Sequence, residues 1–188
     1  LAGIGITPEA VTAEGTLALS SSTVGGLRIE SAAVDGRYAG SVGDIRKLEI
    51  AGPDVKANAS GRLALDRSGA SNLKYHVEAV NLAELARLAG QTGIGGTAIV
   101  DGTLTGNRTA LRTEGTLDGS GLAYQENSAL DLNSRFVVAI PELDVAKARV
   151  EATSAATFVK AGGLEINSID AVTTYDQSRL DFRTNIKE

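Results

Sequence analysis

The sequence predicts an all-β fold of mainly antiparallel meander strands, interrupted by one short α-helix. Three observations predict it. Apolar residues alternate with polar ones at period two along most of the 188 residues, as in strands with one covered face. Twenty-two glycines against three prolines suit many strands joined by tight turns. Only over Asn81–Gly90 does the apolar spacing lengthen to that of a helix.

In chain order, Leu1–Thr7 is apolar and reads as the tail of a strand, with a turn at Pro8-Glu9. Val11, Ala13, Gly15, Leu17 and Leu19 alternate with Thr12, Glu14, Thr16 and Ala18, before a polar loop over Ser20–Thr23. Leu27 and Ile29 open the next strand. The apolar parity then changes near Ser31–Ala33, since Ala32, Val34, Gly36 and Tyr38 follow, and this predicts a bulge. Ile45, Leu48 and Ile50 form a short run that ends at Gly52-Pro53. Asp54–Asp66 alternates cleanly, with Val55, Ala57, Ala59, Gly61, Leu63 and Leu65 on one face. Such a strand would run roughly 40 Å at about 3.3 Å per residue. After Ser68-Gly69, Leu73, Tyr75, Val77 and Ala79 alternate with Asn72, Lys74, His76 and Glu78.

The helix has sequence signals at both ends. Asn81 caps it, Glu84 completes a capping-box pattern, and Gly90 suits the left-handed stop. Leu82, Leu85, Ala86 and Ala89 share one side. The helix reads as a connector between strands, with a cap or plug at the end of the strand array as the alternative. Past Gly93, Gly95 and Gly96 the period returns to two: Ala98, Val100, Gly102, Leu104 and Gly106 face Ile99, Asp101, Thr103 and Thr105 across the pleat. A turn at Asn107-Arg108 leads to Leu111, Thr113, Gly115 and Leu117.

Leu130, Leu132, Ser134, Phe136, Val138 and Ile140 give the second clear alternation, ending at Pro141. Leu143 and Val145, then Ala148 and Val150, predict a strand with a slip near Ala146. Thr157–Lys160 is short, Gly162-Gly163 turns the chain, and Leu164, Ile166, Ile169, Ala171 and Thr173 follow. Asp176-Gln177 turns again, and Leu180, Phe182, Thr184 and Ile186 close it.

A phrase of polar, Gly, polar, large apolar recurs at Glu14–Leu17, Asp35–Tyr38, Ser60–Leu63, Asp101–Leu104 and Glu114–Leu117. A second echo is Gly25–Ser31 against Gly162–Ser168. The uneven spacing is not that of a solenoid with a fixed period, the nonapeptide of calcium-binding solenoids is absent, and the phrase fits an array built by adding strands. Over Asn81–Tyr124, a short Leu/Ala helix, Gly-Gly, x-G-x-L-x-G, then x-x-G-x-L and Leu-x-Tyr resembles the AsmA-like superfamily, in particular its TamB-type C-terminal region. The resemblance is diffuse over the remainder, and none of its motifs is catalytic. It implies a long curved sheet folded into a groove, a β-taco, spanning 1–188 as one segment with sub-repeats 1–80 and 96–188 joined by the helix. It also implies a periplasmic setting in a longer protein anchored in the inner membrane. Phospholipid transport, a role in outer-membrane assembly and an outer-membrane BamA-family barrel as partner follow from the same resemblance.

The apolar face itself is chemically informative. It is Leu, Val and Ala with little bulk, and only 4% of residues are aromatic. From alternation alone, an ordinary packed core of a sandwich or an adhesive β-solenoid is the commoner outcome. With the resemblance, the expectation becomes an open groove for acyl chains, lined by Leu17, Leu19, Val55, Leu63, Leu65, Leu73, Val77, Val100, Leu104, Leu117, Leu130, Leu132, Phe136, Val138, Leu180 and Phe182. The mechanism would be passive.

Other classes fare worse. A net charge of −5 with interspersed signs and few aromatics gives nucleic acid no basic, stacking surface. Cysteine is absent, which removes thiol chemistry and Cys-based zinc sites, and no metal or other cofactor is expected. One histidine, His76 between Lys74 and Glu78, leaves an enzyme little to assemble a site from, and it reads as a solvated or cross-strand paired side chain. Gly93-x-Gly95-Gly96 follows a helix, the wrong context for a dinucleotide loop. Seven aromatic residues are too few for the girdles of a membrane barrel. The chain starts without Met and without a leader, and reads as an internal piece of something longer, whose sheet edges would allow self-association.

Overall fold

A computed structural model describes residues 12–88, 90–177 and 179–187. Eleven strands lie in one open sheet in the order of the sequence, every neighbouring pair antiparallel. They are β1 (Thr12–Val24), β2 (Leu27–Ala39), β3 (Val42–Ala51), β4 (Val55–Ala64), β5 (Ser71–Ala79), β6 (Ile94–Gly106), β7 (Ala110–Tyr124), β8 (Asn127–Pro141), β9 (Arg149–Ala161), β10 (Leu164–Asp176) and β11 (Arg179–Lys187). One helix, α1 (Leu82–Leu88), separates β5 from β6, which still pair directly from Ala79↔Ala98 to Ser71↔Gly106. The expected meander and its single helix are therefore present. The β1–β2 and β3–β4 connections and α1 form what we call the upper rim. The β2–β3, β4–β5 and β6–β7 connections form the lower rim.

Several local expectations change for identifiable reasons. Residues 20–23 continue β1 and are not a loop, because β2 carries the ladder on to Val24↔Leu27. Residues 157–160 belong to the thirteen-residue β9. β4 stops at Ala64, short of Asp66, because the Asp66 carboxylate accepts from the amides of Ser68 (2.8 Å) and Gly69 and turns the chain. The strand expected from Leu143 starts at Arg149 instead. Asp144 Oδ1 accepts from the Ala146 amide (3.0 Å), which holds Val145–Lys147 as a single 3₁₀ turn. Leu1–Thr7, the Pro8-Glu9 turn, Val11 and Ala89 lie outside the described residues.

The α1 caps follow the sequence only in part. Asn81 Oδ1 accepts from the Ala83 amide at 3.2 Å, as an N-cap does. Glu84 does not return to the Asn81 amide. It pairs with Arg87, and the Asn81 amide donates to Asp54 O at 3.3 Å. At the other end Gly90 sits at φ +71, the Gln91 amide donates to Ala86 O (2.9 Å) and the Gly90 amide to Arg87 O (3.1 Å), a Schellman stop.

A crease crosses the sheet near the upper rim. Gly96, Gly121, Leu130, Phe158 and Asn167 are left out of otherwise continuous ladders of β6–β10, as Ser21 and Glu30 are between β1 and β2. On each side of the crease the apolar face has opposite parity. Half-buried Ala129 and Leu132 flank exposed Leu130 and Asp131, and buried Ile29 and half-buried Ala32 flank exposed Glu30 and Ser31. The parity change expected near Ser31–Ala33 is thus a crease shared by strand neighbours, with no net register shift in β2. The net shift falls one strand over, at Arg46–Lys47 of β3. There the Arg46 guanidinium meets Asp35 (2.7 and 3.0 Å) and Glu14 (3.1 Å), tying three strands together on the polar face and holding the Asp35 carboxyl below its ordinary range.

The recurring Gly phrase has a structural cause. Gly102 and Gly115 are register partners, and a Cβ on Gly115 would lie 2.0 Å from Asp101 O. A Cβ on Gly102 would lie 2.4 Å from the Tyr75 ring, which rests on that backbone and reaches β7, where Tyr75 Oη meets Thr113 Oγ1 at 2.6 Å. The glycines let strands approach and let an aromatic ring lie flat across the sheet.

Candidate apolar trough

The register brings the apolar positions of all eleven strands into continuous cross-strand rows on one face. One row runs Leu17, Val34, Leu48, Ala59, Tyr75, Gly102, Gly115, Phe136, Ala152, Thr173, Phe182. The next runs Leu19, Ala32, Ile50, Ala57, Val77, Val100, Leu117, Ser134, Ser154, Ala171, Thr184. On either side lie a row containing Leu73, Leu104, Val138 and Leu180 and a row containing Val55 and Leu132. Leu63 pairs with Gly43, itself opposite Tyr38, at the lower rim. Leu65 lies just past β4, its amide donating to Ser41 O at 2.8 Å.

Fifteen of the sixteen residues expected to line the groove therefore border one face. Leu130 is the exception. It sits on the crease, 51% exposed, out of phase with the Leu132 it was expected to accompany. The sequence reading also passed over Val34, Tyr38, Ile45, Leu48, Tyr75, Val150 and Tyr175 as lining residues. The alternation contained all of them except Tyr175, but only the register shows that they complete the rows.

This face has little cover. Among the described residues no large side chain is fully buried, and the buried apolar residues are Ile29, Ala64, Ala79, Ala98 and Ala148. The middle of the rows is half-buried by neighbouring side chains, and the edges are open, with Leu17 62% and Phe182 65% exposed. The hydroxyls set into the face satisfy one another: Ser154 Oγ donates to Ser134 Oγ (2.9 Å), as Tyr75 and Thr113 pair. Over β1–β4 the face is concave, with a hollow of about 500 Å³ lined by Leu17, Val34, Tyr38, Ile45, Leu63 and Leu65.

α1 bounds the trough at the upper rim. It packs along β6 and reaches β2, where Leu88 Cδ2 would stand 3.1 Å from a Cβ on Gly25. In a flat sheet β2 and β6 lie about 19 Å apart at about 4.8 Å per strand. A helix of seven residues is only about 10 Å long. α1 touches both, and buried Ile29, Ala79 and Ala98 lie at this end. The helix is more than the simple connector expected.

No family model, curated protein or solved structure matches the chain.

The opposite face is polar. Lys56–Glu78 (3.3 Å), Arg149–Asp176 (3.1 Å) and Arg179–Asp181 (2.7 Å) are exposed cross-strand or same-strand pairs of the kind that contribute little stability. His76 lies here, its Nδ1 2.7 Å from Asp101 and its Nε2 3.4 Å from Glu78, the cross-strand paired setting of the two expected, solvated or paired. Those hydrogen bonds, with Asp101 first, raise its pKa from 6.5. A hollow of about 690 Å³ opens on this face over β7–β11, with Arg135 and Arg183 set among Asp118 and Asp170. Among the described residues no group of three or more His, Asp or Glu stands close enough to hold a metal, and no helix is long and apolar enough to cross a membrane.

Proposed function

We propose that this chain is a segment of a hydrophobic conduit that carries phospholipid across the periplasm between inner and outer membranes, in a protein tied to outer-membrane assembly and anchored in the inner membrane. The observation that carries the proposal is the set of continuous cross-strand rows, mostly apolar with Ser134, Ser154, Thr173 and Thr184 among them, that cross all eleven strands on a face with little cover. The periplasmic setting, the inner-membrane anchor and an outer-membrane BamA-family partner rest on the resemblance to the AsmA-like superfamily.

The mechanism is passive. Each methylene that leaves water for the rows contributes about 0.8 kcal/mol. The rows run side by side, so an acyl chain that meets Ser134 and Ser154 in one row keeps apolar contact with Phe136 and Ala152 in the next. The headgroup stays in water. Leu132 and Val138 lie in different rows of β8, so a carboxylate at either interrupts the floor.

Native mass spectrometry of the chain purified from bacterial membranes tests this. Co-purified phospholipid is expected, and Leu132→Asp should lose it at least tenfold while far-ultraviolet circular dichroism stays unchanged. A lipid-free wild type, together with photocrosslinkers on β8 that capture protein instead of lipid, would show that the face is a covered structural surface.

A further inference from the structure

We infer that the hollow over β1–β4 is a seat for one acyl chain, held by its tail whatever headgroup the amphiphile carries. The inference rests on the lipid reading above and adds a fixed holding site to the passive path.

Its first support is the floor. Gly15 and Gly36 are register partners on the apolar face, and Gly43 stands next to them, opposite Tyr38. Three neighbouring positions of one face thus carry no side chain. Their rows continue into Ile45 and Leu63, which close the hollow toward β4, and Leu17 and Val34 stand along one side. The bare floor spans two residue rows, which lie roughly 7 Å apart. An unbranched chain fits that width. A helix, about 10–12 Å across with its side chains, does not. The volume of about 500 Å³ lies within the range of about 300–1,000 Å³ for sites that hold one small molecule.

The second support is that the backbone does not require all of this bareness. A Cβ on Gly36 would lie 2.6 Å from Asp44 O, so the approach of β3 demands glycine there. A Cβ on Gly43 would meet nothing nearer than Leu63 O and Tyr38 Cδ2, both at 3.9 Å. Gly43 also lacks a positive φ. Neither a turn nor a close contact explains it. What its missing side chain leaves is room above the floor.

The third support is the lining. The charged residues around the hollow are Glu14, Arg37 and Asp44, at the alternate positions of their strands and so on the polar face. Glu14 meets Arg46 at 3.1 Å, and Arg37 is the register partner of Asp44. Among the described lining residues, Tyr38 carries the single polar group on the apolar side. The seat therefore grips hydrocarbon and leaves the headgroup in water, with no charge on its floor to choose between headgroups.

The test is native mass spectrometry of the chain with lysophosphatidylcholine and lysophosphatidylglycerol of one tail length, each below its micelle concentration. Each should give one adduct that saturates, with affinities within about twofold of each other. Gly43→Leu fills the hollow and should weaken both by about tenfold or more, the effect of losing contact with about two methylenes. Gly43→Ala adds a Cβ that meets no close neighbour, so it should keep the wild-type urea midpoint and weaken binding by a smaller factor. A tail carrying a diazirine at its terminal carbon should crosslink to β1–β4. Crosslinks spread over β7–β11, unchanged affinity in both folded variants, or a fivefold preference for either headgroup (roughly 1 kcal/mol) would overturn the seat while leaving the lipid reading standing. Absence of any lysolipid adduct, with no phospholipid co-purified, would remove both.

Discussion

Over β1–β6 the sheet bends around its apolar face, with α1 closing one rim and a hollow on that face; over β7–β11 the larger hollow opens on the polar face. Both regions are built from the same alternating strands. Alternation decides which face is apolar, and it does so identically in both. Which face is concave does not follow from alternation: the first region carries α1, which touches β2 as well as β6, and the second carries no α-helix at its rim. A trough is thus the product of two separable instructions.

The largest expected effect that separates the regions is at glycine. Gly61 has φ +123, and a Cβ there would lie 2.2 Å from Asn72 O, whereas Gly121 on the crease has φ +58 with open space around it. Gly61→Ala should cost about 3 kcal/mol or more, because backbone must move, and Gly121→Ala about 1 kcal/mol for the left-handed conformation alone. Urea denaturation measures both; equal losses would mean that the two regions are held alike. Tyr75 spans the junction between them. Tyr75→Phe removes its 2.6 Å bond to Thr113 and should cost about 1 kcal/mol, and a double-mutant cycle with Thr113→Val should return most of that as coupling.

Asn81→Ala sharpens the comparison at similar size but locally. Loss of the N-cap weakens α1 by about 1 kcal/mol. Amide exchange should quicken at Ile29, Ala79 and Ala98 and stay unchanged along β9, where α1 makes no contact. Quickening spread evenly over the sheet would show that α1 supports both regions.

The smallest effect is electrostatic. His76 is the only histidine, and its hydrogen bonds to Asp101 and Glu78 favour the protonated ring in the folded state. Its contribution to stability is therefore whole below pH 6.5, the ordinary value, and is lost as pH rises through the raised folded value. Proton NMR titration should place that value above 6.5 in the wild type and lower it in Asp101→Asn. An unchanged titration would show that the 2.7 Å contact does not persist in solution.

Much of the fold is legible in the sequence, for local reasons. A residue such as Val77 declares its face through Lys74, His76 and Glu78 around it, and the strand, the turn at Asn107 and the stop at Gly90 are all short-range choices. What was missed is non-local. Leu130 looks like the first step of a clean alternation, and only the partners Gly121 and Phe158 show that the crease passes through it. The joining of the lower-rim loops was invisible for the same reason, since residues 65–70 and 107–109 become neighbours only through hydrogen bonds between loops far apart in the chain.

The neighbour-only strand order also has a kinetic meaning. Nearly every long-range contact joins a strand to the one just before or after it, so the chain resembles a zipper more than a cooperative globule. Its stability is then a sum of adjacent interfaces, and unfolding can begin by fraying at β11, whose nine residues are all exposed, and travel inward strand by strand. Such a sheet tolerates being lengthened or shortened by a hairpin, because each added strand needs to satisfy only the one beside it.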